Sequence, residues 1–393
     1  MELLCSVQNY DWGKIGLESK VALLSRGNDS KFEICDKTPY AELWMGTHVN
    51  GPSIIKETGQ HLSAYLEENV EALGRKTAET FHDQLPFLLK VLSINKALSI
   101  QIHPSKDKAE ELHDKFPEIY KDANHKPELA IALTPFEALC GFRPVQEIKY
   151  FLTNIPELQQ IITCKDEEDE ATFLREAFRS VVMSNKEQTM NTYNAIQERF
   201  KEVGYEKSRK LLADVIERLN NDFPNDNGIL MVYLLNYIKM NPSESIFLGA
   251  NEVHAYLYGD CVEIMASSDN VVRAGLTSKF VDVDTLCSMV NYKGENQEAK
   301  IFKPFIEDQY TRLYNPPIRD FCIAEFSLPK SLKNYELAKR SSASILIVIS
   351  GIGKTEHKEL KPGVVLFIPS NEVITIVSVE EHLSLFQGFA NVS

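Results

Sequence analysis

The sequence lacks the features that mark membrane-spanning and secreted proteins. It contains no run of about 18 consecutive apolar residues, the length that a transmembrane helix requires. The N-terminus has neither the basic start nor the apolar core of a signal peptide. The 7 cysteines are scattered and form no CxxC pair, which argues against a disulfide framework and a cysteine zinc finger. We therefore expect a cytoplasmic protein that does not engage membranes and whose cysteines are buried thiols.

Positive charge is also scarce. The chain has 42 Lys and Arg against 56 Asp and Glu, which gives a formal net charge of −14. Because binding to nucleic acid requires a basic surface that neutralises phosphates, nucleic acid is not an expected partner. A small anionic substrate can still bind where a local basic cluster overcomes the acidic background. The sequence must therefore supply such a cluster if the substrate is an anion.

The hydrophobic pattern divides the 393 residues into three stretches. A chain of this length exceeds one ordinary core, so two or three domains are expected. Short apolar runs separated by Gly and Pro predict the strands of a β sandwich or barrel at 98–102, 245–249, 344–351 and 361–369. Between them, apolar residues recur at helical spacing in 173–182 and 211–219. The predicted order is β-rich, then helical, then β-rich again.

Three short segments carry side chains of the types that bind metals. In a strand over 99–103 alternate residues share a face, so Gln101 and His103 would lie side by side. Glu128 begins a second strand-like segment, and His254 lies in a third. Two imidazoles, a carboxylate and an amide oxygen form a ligand set suited to Zn²⁺, Mn²⁺ or Fe²⁺. Each of these residues alone is more commonly a surface or core group, and only the complete set indicates a metal site.

Six motifs follow one another along the chain: QNYDWG at 8–13, YAELWMGTH at 40–48, PFLLKVL at 86–92, QIHP at 101–104, YKDANHKPE at 120–128 and SSDNVVRAGLT at 267–277. In this order and spacing they resemble the type I mannose-6-phosphate isomerase family, and the resemblance runs over most of the chain. The helical stretch and the C-terminal region resemble that family only in their pattern of strands and helices.

The resemblance implies a mainly β fold of cupin-type jelly rolls with an inserted α-helical domain. On this basis we predict a catalytic jelly roll formed by 1–145 and 241–310, a helical insertion at 146–240 and a C-terminal jelly roll at 311–393. The family's zinc ligands correspond to Gln101, His103, Glu128 and His254, with one Zn²⁺ per chain. The C-terminal roll shows no comparable ligand set and is expected to be free of metal. We also expect a monomer.

The implied activity is the interconversion of mannose 6-phosphate and fructose 6-phosphate through an enediol(ate). This reaction would feed GDP-mannose synthesis for glycosylation. Zinc would act as a Lewis acid on a sugar oxygen. Lys90, Lys126, Arg273 and Lys279 lie within or beside the motifs and supply the basic cluster that an anionic sugar phosphate needs.

The resemblance and the side-chain chemistry together suggest individual roles. The family's catalytic arginine corresponds to Arg273, which can bind oxygens bidentately, and we assign it to the reacting end of the substrate with Lys126. The residues predicted to bind the substrate or its phosphate are Ser99, Lys90, Lys279 and Asp269. Glu263 is the predicted base, and the sequence leaves Asp269, His125 and Lys126 open as alternatives.

Two other interpretations remain open. Cupins with two histidines and a carboxylate also include iron-dependent dioxygenases, although an apolar oxidation substrate would not need the basic cluster or Arg273. A non-catalytic cupin that only binds sugar phosphates would be expected to lack a metal ligand or Arg273, and neither is missing. Zinc content and isomerase activity distinguish the three interpretations.

Overall fold

The computed structural model describes residues 1–163 and 169–392. Cys164 lies outside the described residues. The prediction of buried thiols is confirmed for Cys140, Cys261, Cys287 and Cys322. It is wrong for Cys35, which is exposed, and Cys5 is half-buried. None of the described helices is both long and apolar enough to cross a membrane.

Short strands make up most of the described fold. In chain order they are β1 Leu3–Leu4, β2 Ser6–Gln8, β3 Lys14–Ile15, β4 Pro39–Tyr40, β5 Glu42–Met45, β6 Ile54–Ile55, β7 Phe87–Ile94, β8 Ile100–Ile102, β9 Glu128–Ala132, β10 Phe136–Phe142, β11 Leu235–Met240, β12 Ser245–Leu248, β13 His254–Ala266, β14 Val272–Gly275, β15 Phe305–Ile306, β16 Thr311–Tyr314, β17 Cys322–Leu328, β18 Tyr335–Glu336, β19 Ser344–Ser350, β20 Gly353–Lys354, β21 Glu359–Leu360, β22 Val365–Ile368, β23 Thr375–Ile376, β24 Ser378–Val379 and β25 Leu383–Phe389.

The α-helices are concentrated in the middle of the chain. They are α1 Lys20–Asn28, α2 Leu62–Glu68, α3 Arg75–Phe81, α4 Lys106–Lys115, α5 Val145–Asn154, α6 Glu170–Val182, α7 Lys186–Val203, α8 Tyr205–Lys210, α9 Ala213–Asp222, α10 Gly228–Met231, α11 Val283–Met289 and α12 Gln297–Lys300. Short 3₁₀ turns occur at Gly16–Glu18, Val70–Leu73 and Pro156–Gln160.

Strand β13 is the central element of the first sheet and is 13 residues long. Its first part pairs with β10 and, through His254 opposite Gln101, with β8. Its second part pairs with β7 and β9. The change of partners falls near Gly259, whose φ is +116° and where an added Cβ would meet the carbonyl oxygen of Pro135 at 2.6 Å. A single strand thereby connects the strands that carry the site described below.

The helical insertion lies between β10 and β11, which are sheet neighbours with Phe142 opposite Leu235. Its predicted first helix is confirmed as α6, which buries the apolar stripe read from the sequence. The second predicted helical stretch, 211–219, differs from the prediction at its start. Leu212 has a left-handed φ of 62°, and α9 begins only after it. Helix side chains share one core with residues of β8 and β10, such as Ile102 and Leu139.

The C-terminal region forms a six-stranded sheet in the order β15-β16-β17-β25-β19-β22. Alternate residues of its strands enter different cores. Phe326 and Leu346 lie in a core of this region alone, whereas Ile347 and Phe386 share a core with β7, represented by Leu89. Both faces of the sheet are therefore buried, and one of them packs on the N-terminal sheet. The predicted fold class, mainly β with an inserted helical domain, is confirmed, and the exact domain bounds stay predictions.

Candidate metal centre

Three buried side chains converge from the ends of three strands. His103 directly follows β8, Glu128 begins β9 and His254 begins β13. One ligand atom from each lies within 4.8 Å of the others, and all three residues are buried. A buried cluster of two imidazoles and a carboxylate is the donor set that the sequence predicts for zinc.

The tautomers of both histidines are set by backbone carbonyls. Nδ1 of His103 lies 2.7 Å from the carbonyl oxygen of Asn270, and Nδ1 of His254 lies 2.8 Å from that of Glu252. Each Nδ1 therefore carries the proton, and each Nε2 keeps its lone pair. Both Nε2 atoms are buried and have no hydrogen-bond partner among the described residues. Burial lowers the pKa of His103 to about 4, although Glu128 acts in the opposite direction.

The spacing of the donor atoms fits a small metal ion. Nε2 of His103 lies 3.3 Å from one Glu128 oxygen, and Nε2 of His254 lies 3.4 Å from the other. Tetrahedral zinc ligands at about 2.0–2.2 Å from the ion are about 3.3–3.6 Å apart. Burial raises the pKa of Glu128, but His103 and Lys126 outweigh it and hold that pKa well below its ordinary value. The residues present thus fit Zn²⁺.

Gln101, the fourth predicted ligand, lies beside this cluster in β8. It is directly opposite His254 of β13 on one side and Arg273 of β14 on the other. Directly opposite residues in antiparallel strands project to the same face, with Cβ atoms about 4.5–5.5 Å apart. The register therefore places the amide, one imidazole and the predicted catalytic arginine in a row.

A cavity of about 470 Å³ adjoins the cluster. Its wall includes Gln101 and the side chains predicted to bind the substrate: Ser99, Lys90, Lys126, Asp269, Arg273 and Lys279. Lys96 also lines it. The basic cluster that an acidic protein needs for an anionic ligand is gathered at this cavity, although its members come from separate segments of the chain.

Lys90 lies deeper than the sequence suggests. It is 6% exposed in the middle of β7, directly opposite Glu263 of β13, so it is not a charge at a strand edge. Its Nζ lies 3.3 Å from Glu42 and 3.2 Å from Glu263. Burial lowers the pKa of Lys90, but the two carboxylates outweigh it and raise that pKa well above its ordinary value. Lys90 thus bridges two buried carboxylates at the floor of the cavity.

Glu263, the predicted base, is 3% exposed. Burial raises its pKa, with Glu128 and Glu42 adding to the effect and Lys90 opposing it. A base near a metal and cationic side chains is weakened when its pKa is depressed, and burial counteracts this here. The side chain does not line the cavity, but its ion-pair partner Lys90 does.

Lys126 and Arg273 occupy different electrostatic settings. Nζ of Lys126 lies 3.3 Å from a Glu128 oxygen, next to the metal cluster. Arg273 has no side-chain ion pair or hydrogen bond with the described residues, and burial alone lowers its pKa. An arginine without a protein partner in a cavity can bind an oxyanion. His125, an alternative base, instead contacts both carboxylate oxygens of Asp320 at 3.0 and 3.1 Å.

Sequence reasoning missed several residues of the site. Glu42 neutralises Lys90. The available signal in the sequence was that Glu42 and Trp44 alternate in β5 and therefore share a face of the strand. His48 lies 3.3 Å from Asp269 and packs edge-on against Trp44. Asn270 holds His103 through its carbonyl oxygen, and only the fold shows this contact.

The fold and the site define a cupin-type protein that can hold a divalent metal beside a basic cavity. The family described as phosphomannose isomerase type I, catalytic domain, matches residues 1–145, and the one described as its helical insertion domain matches residues 153–235. The chain therefore belongs to the type I phosphomannose isomerases, a family of aldose–ketose isomerases.

Characterised relatives support this membership over the full chain. Mannose-6-phosphate isomerase from Bos taurus is 41% identical and covers 98% of this chain and 97% of its own length. Mannose-6-phosphate isomerase 1 from Arabidopsis thaliana is 39% identical and covers 99% and 93%. Among solved structures, the apo form of mannose 6-phosphate isomerase from Salmonella typhimurium has a TM-score of 0.84 at 30% identity. The match covers 99% of this chain and 98% of that one. A mannose 6-phosphate isomerase structure bound with zinc and yttrium has a TM-score of 0.85 at 30% identity, with the same coverage.

Proposed function

We propose that this chain is a zinc-dependent mannose-6-phosphate isomerase. The observation that carries the proposal is the buried His103, Glu128 and His254 cluster with two unpaired Nε2 atoms, set beside a cavity lined by cations. The substrate is taken from the relatives, whose curated names give mannose 6-phosphate. The basic lining supports an anionic substrate of this kind, whereas the apolar substrate of a dioxygenase would not need it.

One Zn²⁺ per chain would be held by Gln101, His103, Glu128 and His254. When bound, zinc supplies a Lewis acid that stabilises negative charge on a sugar oxygen. Arg273 is free to bind a substrate oxyanion, because its side chain has no ion pair or hydrogen bond among the described residues. Lys126 donates to the same end of the substrate and is held there by Glu128. Asp122, Ser268 and Asn270 fix the loop that carries Lys126 through the hydrogen bonds between them.

The isomerisation moves one proton between C2 and C1 through an enediol(ate). We assign the base to Glu263, because burial raises the pKa of its carboxyl group toward the range that a base requires. Lys90 lines the cavity and is ion-paired with Glu263, so the proposed base lies directly behind the cavity wall. Asp269 and Lys126 remain alternatives, since both line the cavity. Ser99, Lys90, Lys279 and Asp269 are proposed to bind the sugar and its phosphate.

Metal analysis and a coupled assay test the proposal. The purified protein should contain about one zinc per chain and convert mannose 6-phosphate to fructose 6-phosphate, read out through glucose 6-phosphate. Iron alone in the protein would favour the dioxygenase interpretation. A flat readout with zinc bound would favour a non-catalytic sugar-phosphate-binding cupin.

The wider setting is part of the same proposal. The product would serve GDP-mannose synthesis for glycosylation, and the enzyme would act as a cytoplasmic monomer. The free cysteines of the described chain fit a reducing compartment. The domain bounds 1–145 with 241–310, 146–240 and 311–393 are proposed as the catalytic, helical and C-terminal units.

A further inference from the structure

One carboxylate of the helical insertion is bonded to the backbone of the catalytic domain. Oδ1 of Asp226 accepts hydrogen bonds from the amides of Gly228 at 2.8 Å and Leu276 at 2.6 Å. Oδ2 accepts from the amide of Thr277 at 3.2 Å. Two of the three donors belong to a segment 50 residues away in sequence. Such charge-assisted hydrogen bonds are about twice as strong as neutral ones.

The anchored segment forms one wall of the cavity. It begins after β14, which carries Arg273, and it continues through Leu276 and Thr277 to Lys279. Asp222, at the end of α9 in the insertion, lines the same cavity. The insertion and the segment therefore meet at the edge of the cavity, where the predicted catalytic Arg273 and the predicted substrate-binding Lys279 lie only six positions apart.

The segment does not adopt its shape by backbone preference alone. Leu276 has a left-handed φ of 51°, which costs a non-glycine residue about 1 kcal/mol or more. The backbones also approach closely, since a Cβ added to Gly228 would lie 2.5 Å from the amide nitrogen of Leu276. A Cβ added to Gly275 would lie 2.7 Å from the Cα of Gly228. The bonds to Asp226 hold the segment in this conformation.

We propose that Asp226 is a positioning residue for the substrate's phosphate. It acts through the backbone of Leu276 and Thr277, which it fixes so that Lys279 faces the cavity. Thr277 continues the constraint, because its hydroxyl accepts a hydrogen bond from the amide of Lys279 at 3.1 Å. The inference rests on the proposed function for the identity of the substrate. It assigns the helical insertion a part in substrate binding.

A competing explanation is that Asp226 only joins two domains. A purely structural bond would lower thermal stability but would leave the affinity of folded protein for anions unchanged. A positioning role changes the affinity for the phosphate group specifically. Inorganic phosphate is therefore the informative probe, because its binding requires neither turnover nor the sugar.

Asp169 provides a matched control in the same insertion. It also accepts two backbone amide hydrogen bonds, from Ala171 and Thr172, but both donors belong to its own helix α6. Asp169→Ala therefore removes a comparable set of bonds without touching the cavity. Asp226→Asn is the conservative variant, since its single amide oxygen can keep some of the three donors.

The experiment compares zinc-loaded wild type, Asp226→Ala, Asp226→Asn and Asp169→Ala by calorimetric titration with inorganic phosphate and by steady-state kinetics. For Asp226→Ala we expect the phosphate Kd and the KM for mannose 6-phosphate to rise about tenfold, with kcat and zinc content near wild type. For Asp226→Asn, the Kd and KM should lie between those of wild type and Asp226→Ala. For Asp169→Ala, both should match wild type.

Two results would overturn the inference. One is an unchanged phosphate Kd in folded Asp226→Ala or Asp226→Asn. The other is an equal change in Asp169→Ala. If Asp226→Ala fails to fold, Asp226→Asn decides the question by the same titration. A wild type that binds phosphate but does not isomerise the sugar would refute the proposed function alone, and the Kd comparison would still decide the role of Asp226.

Discussion

The buried group of Glu42, Lys90 and Glu263 allows a quantitative test of the site's electrostatics. Replacing Lys90 by Met keeps the length of the side chain and removes its charge. Lys90 is 6% exposed, and its Nζ lies 3.3 and 3.2 Å from the two carboxylates. At an effective dielectric constant of about 20, each pair is worth about 5 kcal/mol of gross attraction.

The net loss in the free energy of unfolding is smaller, because removing Lys90 also removes the cost of burying its charge. Breaking a buried ion pair while leaving its partners in place typically costs about 3–5 kcal/mol. For the catalytic domain this corresponds to a fall in Tm of roughly 6–20 °C in scanning calorimetry. The variant should be compared with wild type under saturating zinc, so that metal loss does not contribute.

The stability lost in Lys90→Met should also depend on pH, and it should increase as the pH rises. Burial already raises the pKa of Glu263 above its ordinary 4.5, and removing Lys90, which opposes that rise, raises it further. The folded variant then holds a proton that the unfolded chain releases. Its stability is therefore greatest below about 4.5 and falls as the pH rises through the raised pKa, so the gap to wild type widens between pH 5 and pH 8.

A second substitution supplies the control. Lys90→Met combined with Glu263→Gln leaves only Glu42 charged and should recover part of the lost Tm and remove most of the pH dependence. A fall in Tm of less than about 1 °C for Lys90→Met at both pH 5 and pH 8 would refute a stabilising role for the buried ion pairs. The expected pH dependence would be refuted if the loss were the same at pH 5 and pH 8.

The other expectations concern the metal and the cavity. Arg273→Ala should lower kcat/KM about 10²–10³-fold at unchanged zinc content, and a loss of zinc would move Arg273 from catalysis to structure. Glu128→Gln should weaken zinc binding at least about tenfold in a competition with a chelator, because a neutral amide replaces the charge between the two imidazoles; an unchanged affinity would remove it from the ligand set. Stripping the metal should abolish turnover and added zinc should restore it, whereas recovery with iron alone would contradict a zinc enzyme. Asp320→Ala should lower kcat/KM about tenfold at unchanged zinc content, because Asp320 holds His125 next to Lys126; wild-type kinetics would show that this contact is not needed.

Local pattern was sufficient to predict the strand that carries Gln101 and one helix of the insertion. Alternation in 99–103 predicted an apolar face, and Ile100 and Ile102 are fully buried in β8. The apolar stripe of 173–182 predicted α6 in the same way. In each case the determining contacts are close in sequence or repeat with a fixed period, so one sequence contains the information.

The remaining features depend on contacts that are distant in sequence. Lys90 is opposite Glu263, and this pairing is set by the register of β7 against β13. No local period reports such a register, so the sequence placed Lys90 in the basic cluster without indicating that it bridges two buried carboxylates. The break in the helical stripe at Leu212 was missed for a different reason, since a left-handed residue leaves the apolar spacing unchanged.

The neighbouring positions of Phe142 and Leu235 have a consequence for how this architecture can change over time. Because the chain leaves the sheet and returns to it at paired positions, a segment between them can lengthen or be exchanged with only a logarithmic entropy cost and without altering any strand. The shared core with β8 and β10 acts in the opposite direction, since a replaced segment must still cover Ile102 and Leu139. The topology of the connection thus permits its replacement, whereas the packing of its helices restricts which sequences can replace it. New sequence is accepted most readily on the outer helix faces, where neither constraint applies.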